Sequence, residues 1–328
     1  MRSLAARSPL LTGLLLIGIV ATGCASAPVP SSSASVPATA VQYPGWPAMG
    51  AILGDPDFVP ILISSEAVVG QNRLLVTVAD SSQALIAAPD LPVKLRFYDL
   101  ATDSQTAASE VQGVFGWLLQ GTKGLYVAIT DLPRAGEWGL EAVGTGSTGE
   151  RSSRMVFTVT STSSTPALGA PAPPSDTLTA TDAKGIALIS TDPAPDPSFY
   201  ALSVRQAIAA GKPFVLVFAS PLLCTSATCG PALEGVKAIA SAYRDRVNFI
   251  HVEPYETHPA AGLHVGNPPL QPTLGADGRP KVVAAVTEWG LLSEPYVFVV
   301  AADGTLSAKL EGVAYHDELI AALDAVLR

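Results

Sequence analysis

Cys224 and Cys229 are the residues of this chain whose type and spacing most directly indicate chemistry. They are separated by four residues, and the chain has 3 cysteines in all, the third being Cys24 near its start. In an oxidising compartment, a C-x4-C pair is expected to be a disulfide, a redox couple or a metal site. The pair alone does not separate these uses, so the surrounding segments must decide between them.

The residues after Cys229 predict that a helix begins there. Gly230 and Pro231 suit a first helical turn, because a proline at that position needs no N–H partner. A thiol at a helix N-terminus faces unpaired N–H groups and the positive end of the helix dipole, which stabilise the thiolate. Cys229 lies nearest to this position and is the natural nucleophile, while Cys224 can reach it if the intervening loop is flexible.

The chain also offers ligands that suit copper. Two cysteines and a histidine form the soft set that selects Cu(I). Of the 4 histidines, His251 lies in a predicted strand and His316 begins the predicted last helix, whereas the other two lie in a proline-rich loop, residues 256–278. The candidate metal ligands are therefore Cys224, Cys229, His258 and His264.

The first residues of the chain have the pattern of an export signal. Arg2 and Arg7 precede an apolar run, residues 10–20, and small residues then lead to Cys24. This arrangement is typical of a signal peptide, and the apolar run is short for a bilayer span. We therefore expect an exported protein.

The residues just before Cys24 resemble a bacterial lipobox. The segment reads Ala-Thr-Gly-Cys, with Ala21 where lipoproteins usually have Leu. The resemblance implies that residues 1–23 are removed and that Cys24 is acylated, which places the chain in the cell envelope, on the extracytoplasmic face of a membrane. The alternatives are an ordinary cleaved signal peptide with an incidental cysteine and an uncleaved anchor.

Composition fits a tethered globular protein. Residues 24–57 are rich in Ser, Pro and Ala, and such a segment behaves as a flexible tether. The formal charge is -9, and loss of Arg2 and Arg7 leaves 17 basic against 28 acidic residues, a charge of -11. Nucleic acid and anionic membrane surfaces are unlikely partners for such a chain by charge alone.

Residues 58–161 predict an all-β domain. Apolar and polar residues alternate in several short segments separated by turns, which is the pattern of half-buried strands. The segments are residues 73–78, 93–98, 125–129, 138–143 and 155–160. We expect an immunoglobulin-like sandwich that serves as a spacer or binds a partner.

The pattern changes after a second Pro-rich linker, residues 162–197. Residues 198–328 alternate between helix and strand, which predicts an α/β domain. Ser203 caps a short helix, residues 213–219 form a continuous apolar strand, and a helix with apolar spacing follows the cysteines.

Residues 198–328 resemble the thioredoxin family. The strand leading into a cysteine loop and helix is one half of the resemblance, and the stretch 289–304 around Pro295, followed by a final strand and the helix 316–327, is the other. The resemblance implies a cis Pro295 lying against the cysteine loop, where the neighbouring backbone pairs with an extended substrate. It implies no cofactor. The chain is more closely similar to envelope lipoproteins of this superfamily that join a sandwich to a longer cysteine loop.

The chain departs from the family at the cysteines. The usual motif is C-x-x-C, and here either Cys229 aligns with the first cysteine, with Ala232 replacing the second, or Cys224 is the nucleophile and Cys229 the resolver. Val217 stands where thioredoxins usually keep a buried acid. We predict thiol-disulfide exchange with exported proteins through Cys224, Cys229 and Pro295. The alternatives are a binding module with a structural disulfide and a Cu(I) carrier.

Overall fold

The computed structural model describes residues 42–146, 149–259 and 270–328. The predicted signal peptide, the lipidation site Cys24, most of the predicted tether and the candidate ligand His264 lie outside these ranges. Within these ranges, no helix is both long and apolar enough to cross a bilayer.

Residues 42–159 are built from antiparallel strands. All the segments with alternating apolar residues that the sequence predicted are strands, and shorter strands are added at the edges. The strands are β1 (Ile52–Gly54), β2 (Val59–Leu62), β3 (Gly70–Ala79), β4 (Val93–Asp99), β5 (Ser109–Gln112), β6 (Val114–Leu119), β7 (Lys123–Leu132), β8 (Gly136–Gly146) and β9 (Gly149–Val159).

These strands form two sheets that share one hydrophobic core. One sheet has the order β1-β9-β8-β4-β5 and the other the order β2-β3-β7-β6. Every second residue of a strand points to the same face, so Val93, Leu95 and Phe97 of β4 all enter the core. They meet Leu74 and Val76 of β3 from the other sheet. This arrangement is compatible with a β-sandwich.

The sequence assigned residues 42–57 to the tether, and the structure differs there. β1 pairs with β9, and Trp46 is buried against Tyr98, with ring centroids 4.8 Å apart. The indole N–H of Trp46 donates to the carbonyl of Ser104 at 2.8 Å. Strand pairing and one large buried aromatic side chain thus attach this segment to the antiparallel strands.

Residues 197–328 combine strands with helices. Ser203 caps the first helix, as predicted, by accepting a hydrogen bond from the backbone N–H of Gln206. The elements are α1 (Val204–Ala209), β10 (Phe214–Phe218), α2 (Cys229–Tyr243), β11 (Asn248–Val252), β12 (Thr257–Pro259), β13 (Leu270–Pro272), α3 (Ala284–Glu288), β14 (Tyr296–Val300), β15 (Leu306–Glu311) and α4 (His316–Val326).

The main sheet of this half has the order β11-β10-β14-β15. β10 pairs parallel with β11 and antiparallel with β14, and β14 pairs antiparallel with β15. All residues of β10 are buried, because Val215 and Val217 pack towards α2 and α4 while Leu216 packs on the opposite face with α1. Strand β10 therefore lies at the centre of the sheet and ends just before the cysteine loop.

The predicted linker, residues 162–197, packs against this second half. Gly169 donates to the carbonyl of Leu306 at 2.7 Å, and Leu306 donates to the carbonyl of Ala170 at 2.9 Å. Further along, Ser190 and Asp192 are buried. It contains no α-helix or strand and only two short 3-10 segments, Ile186–Leu188 and Pro197–Tyr200, but its backbone groups find partners on the residues that follow.

The two halves also contact each other directly. Arg73 of β3 donates to both carboxylate oxygens of Glu318 in α4, at 2.7 and 2.8 Å, and to the carbonyls of Glu311 and Val313. Residues Val41–Arg328 accordingly form one compact unit.

Candidate functional site

The helix that the sequence predicted at the cysteines begins at Cys229. Helix α2 starts there, and Cys224 lies in the preceding loop. The backbone N–H of Cys224 donates to the carbonyl of Ser220 at 3.0 Å. Because the loop turns back before the helix begins, partly through a left-handed Ala227 with φ of 60°, the two cysteines do not lie on one helix. Both are free thiols, and their sulfur atoms lie within 4.8 Å of each other.

The two thiols differ in exposure. Cys229 is fully buried, whereas Cys224 is only half-buried and its sulfur contacts the hydroxyl of Ser226 at 3.0 Å. A thiol can act as a nucleophile only where another molecule can reach its sulfur, and of the two thiols Cys224 is the accessible one. The expectation that Cys229 is the nucleophile because of its place at the helix start is therefore not supported by its burial.

The pKa values of the two thiols distinguish them in the same way as their exposure does, with the more exposed thiol the more acidic. A hydrogen bond from the Cys229 thiol lowers the pKa of Cys224 well below its ordinary value, with further help from Ser226 and the backbone N–H groups of Thr228 and Cys229. The same hydrogen bond, together with burial, raises the pKa of Cys229. The lowered pKa favours a thiolate at Cys224, and the raised pKa keeps the proton on Cys229.

Glu294 completes the cluster. One of its carboxylate oxygens lies within 4.8 Å of both sulfur atoms, and Oε1 accepts a hydrogen bond from the hydroxyl of Tyr255 at 2.9 Å. Burial and the neighbouring Cys224 raise the pKa of Glu294. The Glu294–Pro295 peptide bond is cis, as the resemblance implied. The sequence pointed to Pro295 but not to the acid before it.

Glu253 lies at the end of β11 and is buried, with 5% of its surface exposed. Its Oε2 accepts hydrogen bonds from the backbone N–H of Thr191 at 3.0 Å and from the Thr191 hydroxyl at 2.6 Å. Burial raises the pKa of Glu253 to about 7, against the opposing effect of the hydroxyls of Ser220 and Thr191. Residues just after a strand are usually solvated, and here the linker residue Thr191 keeps Glu253 buried.

His251, two residues earlier, is a structural side chain of the core. Its Nε2 donates to the carbonyl of Ala219 at 2.8 Å, so Nδ1 accepts from the hydroxyl of Tyr200 at 2.8 Å. Burial lowers the pKa of His251 to about 4 and keeps the ring neutral. Both ring nitrogens have protein partners, which leaves neither free for a metal.

The other histidines do not join the thiols in the part of the chain that is described. His258 is exposed and its Nδ1 lies 3.4 Å from the hydroxyl of Thr273, and His316 is exposed at the start of α4. His264 lies outside the described residues. The third potential ligand atom near the two sulfurs belongs to Glu294.

Two exposed leucines flank the thiol loop. Leu222 lies two residues before Cys224 and is 57% exposed, and Leu292 lies two residues before Glu294 and is 58% exposed. Exposed apolar side chains beside an accessible thiol can contact the apolar part of a polypeptide partner.

Comparisons with known proteins identify no family for this chain. No protein-family model and no curated protein matches it. One solved structure, that of an engineered protein, aligns with 32% of this chain and 20% of its own length, at 11% identity and a TM-score of 0.22. A similarity of that size does not establish a shared fold, so the site must be interpreted from its own geometry.

Proposed function

We propose that the chain is a thiol-disulfide exchange protein of the thioredoxin-like kind that acts through Cys224 and Cys229. The observation that carries the proposal is the unequal pair of neighbouring thiols: Cys224 is accessible and acidic, and Cys229 is buried at the start of a helix. Exchange needs one thiolate that attacks a partner and a second thiol that resolves the product.

The chemistry follows from this asymmetry. The Cys224 thiolate attacks a disulfide of the partner, one partner sulfur leaves as a thiolate, and a mixed disulfide forms on Cys224. Cys229 then loses its proton and attacks the Cys224 sulfur, so that the second partner thiolate leaves and a Cys224–Cys229 disulfide forms. Two electrons pass from the dithiol to the partner, and the reverse sequence oxidises a partner dithiol.

The architecture around the thiols supports the same proposal. The order β11-β10-β14-β15, with β14 antiparallel to β10 and helices on both faces, agrees with a thioredoxin-like sheet. The cysteine loop follows the central strand β10, and the segment carrying Glu294 and Pro295 precedes β14. We propose on the same grounds that residues 58–161 form an immunoglobulin-like sandwich.

The two alternative functions have weaker support. A structural disulfide gives no reason for an acidic thiol with an accessible sulfur atom. A Cu(I) carrier needs a soft third ligand, whereas the carboxylate of Glu294 is a hard one that suits other metals.

A redox titration of the full chain in detergent micelles tests the proposal. The chain is prepared with Cys24→Ser, so that thiol counts report only on the pair, and is equilibrated with glutathione buffers of increasing reducing strength. The proposal predicts a reversible two-electron couple that Cys224→Ser and Cys229→Ser each abolish. A disulfide that the glutathione range cannot reduce would identify a structural bond, and a pair that forms no disulfide while binding one Cu(I) tightly would identify a copper carrier.

We also propose that Cys24 carries a lipid that anchors the protein to the extracytoplasmic face of a membrane. The support is the signal pattern and the lipobox resemblance, since Cys24 itself lies outside the described residues. The Cys24→Ser variant should lose metabolic labelling with palmitate and leave the detergent phase or accumulate as a precursor. Unchanged labelling and processing in that variant would contradict the anchor.

A further inference from the structure

Three side chains at the thiol loop bring potential metal ligands together. One ligand atom from each of Cys224, Cys229 and Glu294 lies within 4.8 Å of the other two. In a tetrahedral zinc site, bonds of about 2.3 Å to sulfur and about 2.0–2.2 Å to oxygen place neighbouring ligand atoms roughly 3.5–3.8 Å apart. A movement on the order of 1 Å therefore brings these three atoms onto one ion.

The chemistry of the three donors favours Zn²⁺ over other ions. Proteins bind zinc through cysteine sulfur, histidine nitrogen and carboxylate oxygen, so two thiolates and one carboxylate fall within its range. Calcium and magnesium take oxygen ligands, and Cu(I) is selected by soft ligands. Zinc has no redox chemistry of its own, so it holds two thiolates without oxidising them.

Each of the three ligands is positioned by a neighbouring group. Oε1 of Glu294 accepts a hydrogen bond from the hydroxyl of Tyr255 at 2.9 Å. The backbone N–H of Ser220 is directed at the sulfur of Cys229, and the backbone N–H of Cys229 at the sulfur of Cys224. Outer partners of this kind orient metal ligands, and their loss weakens metal binding. The cluster therefore has the supporting hydrogen bonds that a metal site needs.

The cluster is also open to solvent on one side. Cys224 is only half-buried, and the exposed Leu222 and Leu292 flank its loop, so an ion can reach the sulfur from outside. Among the described residues, the cluster offers three ligands. Structural zinc sites are closed by four protein ligands, whereas sites with three keep a position for water or another molecule. The geometry here is of the second kind.

We infer that Cys224, Cys229 and Glu294 form a Zn²⁺ site in the reduced protein, and that zinc binding and disulfide exchange exclude each other. The second part rests on the proposed exchange function. Bound zinc displaces the remaining thiol proton and engages both sulfur atoms, so neither sulfur can attack a disulfide. Once zinc has dissociated, the Cys224–Cys229 bond can form and two electrons pass to the partner disulfide. Only Glu294 is then left as a ligand, and one carboxylate cannot retain the ion.

Competition with a chromophoric chelator measures zinc binding by the full chain carrying Cys24→Ser in detergent micelles. The reduced protein should bind one Zn²⁺, and the oxidised protein should bind none. Glu294→Gln should weaken binding by about a hundredfold and Tyr255→Phe by about tenfold. Glu256→Gln neutralises an exposed carboxyl away from the thiols, and this matched control should bind zinc like the wild type.

Ellman's disulfide then measures the effect of zinc on the thiols, because their attack releases thionitrobenzoate. At a zinc concentration between the two dissociation constants, release from the wild type should be suppressed, and release from Glu294→Gln should keep nearly its metal-free rate. Equal zinc affinities of these two proteins, or a release that zinc does not slow, would overturn the inference and leave the proposed function standing.

The metal-free protein separates the two proposals. If the wild type without zinc forms no reversible disulfide, the proposed function fails, and the exclusion of exchange by zinc fails with it. Should Glu294→Gln fold poorly, the loss of zinc affinity expected for Tyr255→Phe decides alone, because that substitution removes only the hydroxyl that holds the carboxylate.

Discussion

At the scale of single residues, the site depends on two neighbouring thiols that differ in pKa. The thiol of Cys229 donates to Cys224, and both burial and this hydrogen bond keep its own proton in place. The sequence identified both cysteines and the helix that begins at Cys229. It could not assign their roles, because the helix dipole favours Cys229 whereas accessibility, which depends on the tertiary structure, favours Cys224.

The Cys229→Ala variant tests whether Cys229 lowers the pKa of Cys224. Without the thiol donor, the pKa of Cys224 should rise towards the ordinary cysteine value of about 8.5. The rate of Cys224 alkylation by iodoacetamide, followed against pH with Cys24 replaced by Ser, should therefore shift its midpoint upwards. Cys229→Ser retains a donor and should shift less, and identical midpoints in all three proteins would show that Cys229 does not set the acidity.

The surroundings of Glu253 and Glu294 could not be predicted from the sequence. Each stands directly before a proline, a local pattern typical of turns. Glu253 is buried because Thr191 of the linker lies against it, and Glu294 is half-buried beside the two cysteines. A contact between segments so far apart in sequence leaves no periodic signal in either of them.

At the scale of elements, the strands and helices with strong apolar patterns were predicted, and those with weak patterns were not. The sequence predicted β10 as a fully buried strand and α4 as the last helix, and both are present with bounds within a few residues. The short strand β1 was missed because it lies in a segment whose composition is that of a tether. Its pairing with β9 and the burial of Trp46 compensate for its weak pattern.

The linker is an element of the site rather than a spacer alone. Thr191 donates to Glu253 through its backbone and hydroxyl groups, and its hydroxyl oxygen accepts from the backbone of Leu222 in the cysteine loop at 3.2 Å. One linker residue therefore holds both the buried acid and the loop that carries Cys224.

Thr191→Val should consequently destabilise the protein. The substitution preserves side-chain shape but removes a hydroxyl that pairs with the buried carboxylate of Glu253 and with the backbone N–H of Leu222, for an expected loss of about 1–3 kcal/mol. Denaturant unfolding measures the difference. Thr181→Val, at an exposed position in the same linker, is the control and should change stability by less than about 0.5 kcal/mol. Equal stabilities of the two variants would show that Thr191 does not brace the site.

At the scale of the whole molecule, the antiparallel strands of residues 42–159 contact the half of the chain that carries the thiols. Arg73 is only 10% exposed and makes its hydrogen bonds to Glu318 and to the carbonyls of Glu311 and Val313. The sequence predicted two domains joined by a Pro-rich linker, and that prediction does not fix their relative position. A buried arginine at the contact instead favours one arrangement.

A double-mutant cycle tests this contact. Arg73→Met and Glu318→Gln remove the two partners separately and together, and the coupling energy from denaturant unfolding should be about 1–3 kcal/mol. The exposed pair of Arg205 and Asp176 serves as the control and should show no measurable coupling. A coupling energy near zero for Arg73 and Glu318 would mean that the halves are not held together by this contact.

Capture of a mixed disulfide on Cys224 tests the central claim most directly. The reduced full chain carrying Cys24→Ser is mixed with a disulfide-linked peptide, and the products are identified by mass spectrometry. The account predicts that Cys229→Ser accumulates peptide on Cys224, that Cys224→Ser accumulates none, and that the protein with both thiols releases the peptide and gains an internal disulfide. Peptide attached to Cys229, or no exchange by the protein with both thiols, would contradict it.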